Sequence, residues 1–159
     1  MSSPTPREQG LAEQITNALG DKVALDYTNT RRLRVSTSRE HMVEVGKFMK
    51  SDLGFDHVAS VSGIDYPKDQ IIEVVYHLGG YGKTEMRELL LALACRLPRD
   101  DSKMPSLYGV WKSVEFHERE TFEMLGVTFE GHPQLERLLL PEDWNDIPPL
   151  RKEFKNPGR

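Results

Sequence analysis

The chain has 159 residues, enough for one ordinary domain whose core needs no disulfide or structural metal, and its 38% hydrophobic and 29% charged residues describe a soluble globular protein on the polar side of average. A formal net charge of −4 with both signs interspersed argues against a nucleic-acid partner, and the lone cysteine, Cys95, excludes an intrachain disulfide and every multi-cysteine zinc or iron–sulfur arrangement. No run approaches the roughly 20 apolar residues of a membrane span, and Met1 to Gly10 carries no apolar stretch of signal-peptide type, so the protein is expected to stay in the cytoplasm.

Leu11, Ile15, Ala18 and Leu19 fall at i, i+4, i+7 and i+8 with Gly20 next, which predicts an amphipathic helix with a glycine stop. Val23 to Tyr27 and Arg31 to Ser36 flank Thr28-Asn29-Thr30 and predict a hairpin. Ser38 is the expected N-cap of a second helix that lines Met42, Val45, Met49 and Leu53 along one face and ends at Gly54. Phe55 to Ile64 and Gln70 to Leu78 are β-branched and aromatic, and the turn-prone Asp65 to Asp69 between them predicts an antiparallel pair.

Thr84 to Leu97 is ambiguous. Met86, Leu89, Leu90 and Leu93 fit a helix face, and Glu, Leu and Ala favour helix, so local rules alone predict one. After a loop with Pro98 and Pro105, Ser113 can cap a helix from Val114 to Leu125 that Gly126 terminates. From Pro141 onward the chain holds Pro148, Pro149 and Pro157 as well and has no sustained apolar period, so this tail is not a core element.

On the helix from Val114 to Leu125, the residues Val114, Thr121, Leu125 and Phe122 form one apolar arc, and Glu118 lies inside it. If that arc is buried, Glu118 needs a cationic or N–H partner, and Arg137 is the nearest candidate in sequence. The plainer reading is a solvated helix, with Glu115 and Arg119 as an ordinary i, i+4 surface pair. His132, between Gly131 and Pro133, could be a ligand or proton carrier, but a His before Pro more often sits in an extended turn. The tail places acidic Glu142, Asp143 and Asp146 before basic Arg151, Lys152, Lys155 and Arg159, punctuated by Trp144 and Phe154. That is a composition for docking, with a disordered tail as the alternative.

Two other patterns are set aside. Leu78 to Thr84 ends in Gly82-Lys83-Thr84 like the close of a P-loop, which would make a small nucleotide-binding protein, but the motif needs Gly where His77 stands. His117-Glu118 opens like a zinc-hydrolase motif, but Thr121 occupies the second His position.

Between Trp111 and Phe154 more than forty positions resemble, in order, spacing and residue type, the complex I (NADH:quinone oxidoreductase) thirty-kilodalton or C-type subunit family. The matching elements are Glu118-Arg119-Glu120, then Phe122-Glu123-Met124-Leu125-Gly126, then Gly131-His132-Pro133 and Arg137. They continue through Leu140-Pro141-Glu142-Asp143-Trp144 to Pro149-Leu150-Arg151-Lys152-Glu153-Phe154. Where Glu123, Leu125 and Glu136 stand, the family commonly has Asp, an aromatic and Arg. Leu125 and the Pro-Glu-Asp-Trp run resemble the archaeal, plastid-type and hydrogenase-related members more than mitochondrial ones.

The resemblance implies an α+β fold, a two-layer domain with two N-terminal-half helices packed on a mixed β-sheet, then a helix and an extended Pro-rich C-terminal arm. It implies strand for Thr84 to Leu97, a domain over residues 1–140 and a docking arm over 141–159. It further implies a non-catalytic peripheral-arm subunit of a respiratory NADH:quinone oxidoreductase, an accessory subunit with no catalytic, cofactor-binding or metal residue of its own. Iron–sulfur clusters and flavin would belong to partner subunits. The D-type (forty-nine-kilodalton, hydrogenase-like) chain would be the principal neighbour among the peripheral-arm subunits, scaffolded for electron transfer to quinone on the cytoplasmic side of the membrane, and the motif residues would be subunit-interface residues.

Overall fold

A computed structural model describes residues 3–156. The first helix, α1 (Pro6–Leu19), begins with Pro6 in its first turn, where a missing N–H costs nothing, and buries Leu11, Ala12, Ile15 and Leu19. Ala18, expected on that face, is exposed. Glu8 takes an inward position instead: its carboxylate accepts the Thr5 backbone N–H at 2.7 Å and the Thr5 hydroxyl at 2.5 Å, and pairs with Arg7 at 2.7 Å. The Arg31 backbone adds a further hydrogen bond, which ties the start of α1 to the tip of the following hairpin.

That hairpin joins β1 (Val23–Asn29) to β2 (Arg32–Thr37) in antiparallel register, with Arg31 at φ 62° in the turn. The second helix, α2 (Met42–Phe48), continues as a π-helical turn over Met49–Leu53 and stops at Gly54, whose φ of 90° is left-handed. Met42, Val45, Met49 and Leu53 are all buried as the spacing predicts. Ser38 is not the cap, however. Its carbonyl accepts the His41 N–H at 3.1 Å and its hydroxyl bonds Glu40, so the helix starts only after His41.

β3 (His57–Tyr66) and β4 (Ile71–Gly79) pair antiparallel across the expected turn. β5 (Leu90–Pro98) lies between β4, antiparallel, and β2, parallel, giving the order β1-β2-β5-β4-β3. Strand therefore wins over helical propensity in this stretch, because a central position offers β5 a ladder on both sides. The strand is shorter than Thr84 to Leu97. Thr84–Met86 form a 3-10 turn, and pairing starts only where the hairpin ends, with the Leu90 N–H on the Arg31 carbonyl at 2.9 Å.

The register stacks Ile72 on Leu97, Val74 on Cys95, Tyr76 on Leu93 and Leu78 on Leu91, with Leu33 and Val35 of β2 alongside. These alternate residues share one core with the helices. The opposite face carries only a small cluster, Val75 with Ala92 and Ala94, beside a buried Glu73 held by Arg34 at 2.7 Å and Arg96 at 3.0 Å. A two-stranded parallel pair, β6 (Lys103–Pro105) with β7 (Thr128–Glu130), brackets α3 (Glu115–Leu125), the third helix, and was not foreseen from sequence. After β7 the described chain has no further helix or strand.

Candidate subunit interface

Three charged side chains of α3 are buried, and each holds a loop. Glu118 is fully buried, so the solvated-helix reading does not hold. Its Oε1 accepts the Tyr76 hydroxyl at 2.8 Å and the Leu107 N–H at 2.8 Å, and its Oε2 accepts the Ser106 hydroxyl at 2.5 Å. Burial pushes its carboxyl pKa upward against those three donors, and burial beside Glu118 pushes the Tyr76 phenol well above its usual range. The expected N–H partner is present, but Arg137 is not a partner. Arg137 donates to the Pro141 and Glu142 carbonyls at 2.9 Å and to that of Trp144 at 2.5 Å, bracing the chain that follows it.

Arg119 does not pair with Glu115. It donates to the Glu136 and Arg137 carbonyls at 3.0 and 2.9 Å, because the chain returning from β7 brings these main-chain acceptors within its reach. Glu123, one helical turn on, accepts three successive backbone N–H groups, from Leu138 at 2.9 Å, Leu139 at 2.8 Å and Leu140 at 3.1 Å. One carboxylate thus pairs the donors of a segment that no strand could pair.

The end of α3 is a second anchor. Gly126, at φ 76°, turns the chain, and Arg151 donates to the Leu125 carbonyl at 2.5 Å, placing a cation at the helix C-terminus. The Leu150 N–H bonds the Met124 carbonyl at 2.9 Å. The Lys152 N–H bonds Asp65 at 2.8 Å, a buried carboxylate that also takes both ends of the Arg99 guanidinium at 2.8 and 3.0 Å. Arg99 beside it holds the Asp65 carboxyl below its usual range, and also pairs with Glu153.

His132 is a structural turn residue. Its Nδ1 accepts the Gln134 N–H at 3.0 Å, which leaves Nε2 to donate to the Glu115 carbonyl at 3.0 Å. Trp144 and Phe154 are half-buried against each other, ring centroids 5.7 Å apart. Of the remaining motif residues, Glu120, Pro133, Pro141 and Asp143 are exposed and Pro149 is partly buried. The tail runs as successive turns past the C-terminal end of α3, and residues 157–159 of the expected arm lie outside the described residues.

The P-loop resemblance does not survive the geometry. The Tyr81 and Gly82 N–H groups, which would cradle a phosphate, donate at 2.9 and 2.8 Å to the Asp56 carboxylate, and a 3-10 turn follows in place of a helix. Two residues went unnoticed in the sequence. Glu8 was readable, since Thr5-Pro6-Arg7-Glu8 has the spacing of a capping box. Asp65 gave no signal beyond a turn.

Residues 35–159 match the family described as respiratory-chain NADH dehydrogenase, 30 Kd subunit. The chain is 39% identical over 124 residues to the C-type subunit of the F(420)H(2) dehydrogenase of Methanosarcina mazei, covering 78% of this chain and 76% of that protein. It is 36% identical over 144 residues to the C-type subunit of the NADH-quinone oxidoreductase of Roseiflexus sp., covering 89% and 80%. Among solved structures, the trypsin-resistant fragment (1–134) of Nqo5 superimposes with a TM-score of 0.67 at 27% identity, over 81% of this chain and 99% of that one.

Proposed function

The chain belongs to the respiratory-chain NADH dehydrogenase 30 kDa subunit family, and from that premise we propose that it is a scaffolding subunit without an active site of its own. Membership makes it a subunit of a complex I-type respiratory oxidoreductase, a group whose named relatives include NADH- and F420H2-linked enzymes. The finer reading is that it seats against the hydrogenase-like D-type (forty-nine-kilodalton) subunit, among other peripheral-arm subunits, and steadies it for electron transfer to quinone. Among the described residues no helix is long and apolar enough to cross a membrane. On this reading the chain meets the membrane only through the assembled complex, on the cytoplasmic side.

The observation that carries the scaffolding reading is how α3 uses its charge. Arg119 and Glu123 point at backbone groups of the returning chain, not at one another or a shared cleft, so they hold a ribbon in place. Cys95 supports the assignment of redox groups to other chains, because burial pushes its thiol up to about 12, far from the thiolate that a cluster ligand must be. On this reading iron–sulfur clusters and flavin belong to partner subunits.

The test is a paired truncation before Pro141. The shortened chain is expected to keep a cooperative melt while its recovery in the native complex, and the quinone reductase activity of that complex, collapse. Normal assembly and activity of the truncated chain would remove the docking role from the arm.

A further inference from the structure

We propose that the ribbon from Leu138 to Leu150 is a preorganised docking element that presses Leu139 and Leu150 into an apolar, basic-rimmed surface of a neighbouring protein subunit, an inference that rests on the subunit reading above. Leu139 is 61% exposed and Leu150 57%, and Leu138 and Ile147 in the same segment are also exposed. So much bare apolar surface in one short stretch marks a contact site. Trp144 and Phe154, the aromatic anchors suggested by composition, already pack against one another and have less surface to give.

The mode of contact follows from the backbone. The N–H groups of Leu138, Leu139 and Leu140 are held by Glu123 and that of Leu150 by the Met124 carbonyl, while Arg137 takes the carbonyls of Pro141, Glu142 and Trp144. A ribbon with these groups already paired is not available to add as a strand to a partner's sheet, which leaves side-chain insertion. Glu123 and Met124 are consecutive on α3, so one helical segment fixes both leucine anchors before the partner arrives. Less order is then lost on binding.

The class of partner follows from charge. Glu142, Asp143 and Asp146 lie exposed between the two leucines. Anionic lipid headgroups would repel such a ribbon, whereas a protein groove with Lys or Arg at its rim complements it.

The experiment replaces both leucines in the full chain, Leu139→Asp with Leu150→Asp, and compares two readouts. The isolated variant is expected to melt within about 2 °C of wild type, since neither side chain is buried. Its recovery with the other members of the native complex is expected to fall roughly tenfold or more. Should the aspartates disturb folding, the pair Leu139→Ala and Leu150→Ala carries the same test. Full recovery of either pair, with the truncated chain still lost from the complex, would overturn this proposal and leave the docking arm intact. Full recovery of the truncated chain as well would instead strike the arm reading itself. Sedimentation of the isolated wild-type chain with phosphatidylserine-containing vesicles would also overturn the proposal, by making the strip a lipid contact.

Discussion

Glu118 is where burial, hydrogen bonding and charge can be separated by two substitutions. Replacing it with Ala removes the acceptor for the Tyr76 hydroxyl, the Ser106 hydroxyl and the Leu107 N–H. Tyr76 is fully buried, and each buried donor left without a partner costs about 1 to 3 kcal/mol, so Glu118→Ala is expected to lose about 3 to 5 kcal/mol. Glu118→Gln keeps one carbonyl for Tyr76 and Leu107, and its amide can donate to a reoriented Ser106 hydroxyl, so the cost near neutral pH is expected to stay below about 1 kcal/mol. The pH dependence carries the sharper sign. Burial raises the folded pKa above the unfolded value of 4.5, so the folded state binds this proton more tightly. Its contribution to stability is fully present below pH 4.5 and is lost as pH rises through the folded pKa. Urea unfolding of wild type and Glu118→Gln at several pH values should therefore show the Gln variant gaining on wild type as pH rises above 4.5. A Gln variant as damaged as the Ala variant, or a gap that does not change with pH, would refute this account of the site.

The Glu8 carboxyl is lowered from 4.5 to about 2 by its hydrogen bonds to Thr5, Arg7 and Arg31, which overcome desolvation, so Glu8→Gln should cost up to about 3 kcal/mol at pH 7. That contribution is present above pH 4.5 and lost as pH falls through about 2, so acid titration of both proteins should show the gap closing downward. Gly126→Ala forces a Cβ into a backbone at φ 76°, where the added atom meets Arg151 and Pro148 at 3.4 Å. A loss of about 1 to 2 kcal/mol in denaturant unfolding is expected, and a neutral substitution would show that the turn relaxes freely.

What was legible in the sequence was what has a period. The burial of Met42, Val45, Met49 and Leu53, the two hairpins and the apolar arc of α3 all follow from spacing between neighbouring residues. β5 was not legible locally, since its Leu- and Ala-rich run reads as helix until two flanking strands claim its backbone. Glu118 was legible as a carboxylate in need of a partner, but not its partners: Tyr76 lies 42 positions away, on a strand whose distance from α3 no periodicity records. Arg119 and Glu123 escaped for a different reason. Their partners are backbone groups, which are the same at every residue, so only the path of the returning chain decides which are reached. The motif from Trp111 to Phe154 identified the family without revealing that arrangement. Its charged residues mostly brace their own chain, and its exposed leucines, which no charge pattern marks, form the outward surface.

The scaffolding claim is tested most directly by cross-linking the native complex through Lys152 and Lys155, followed by mass spectrometry of the cross-linked peptides and cofactor analysis of the separated chain. The account predicts links from these lysines to the D-type subunit, and a separated chain that carries neither iron nor flavin. Links confined to other proteins, or a stoichiometric redox group that stays with this chain, would contradict it.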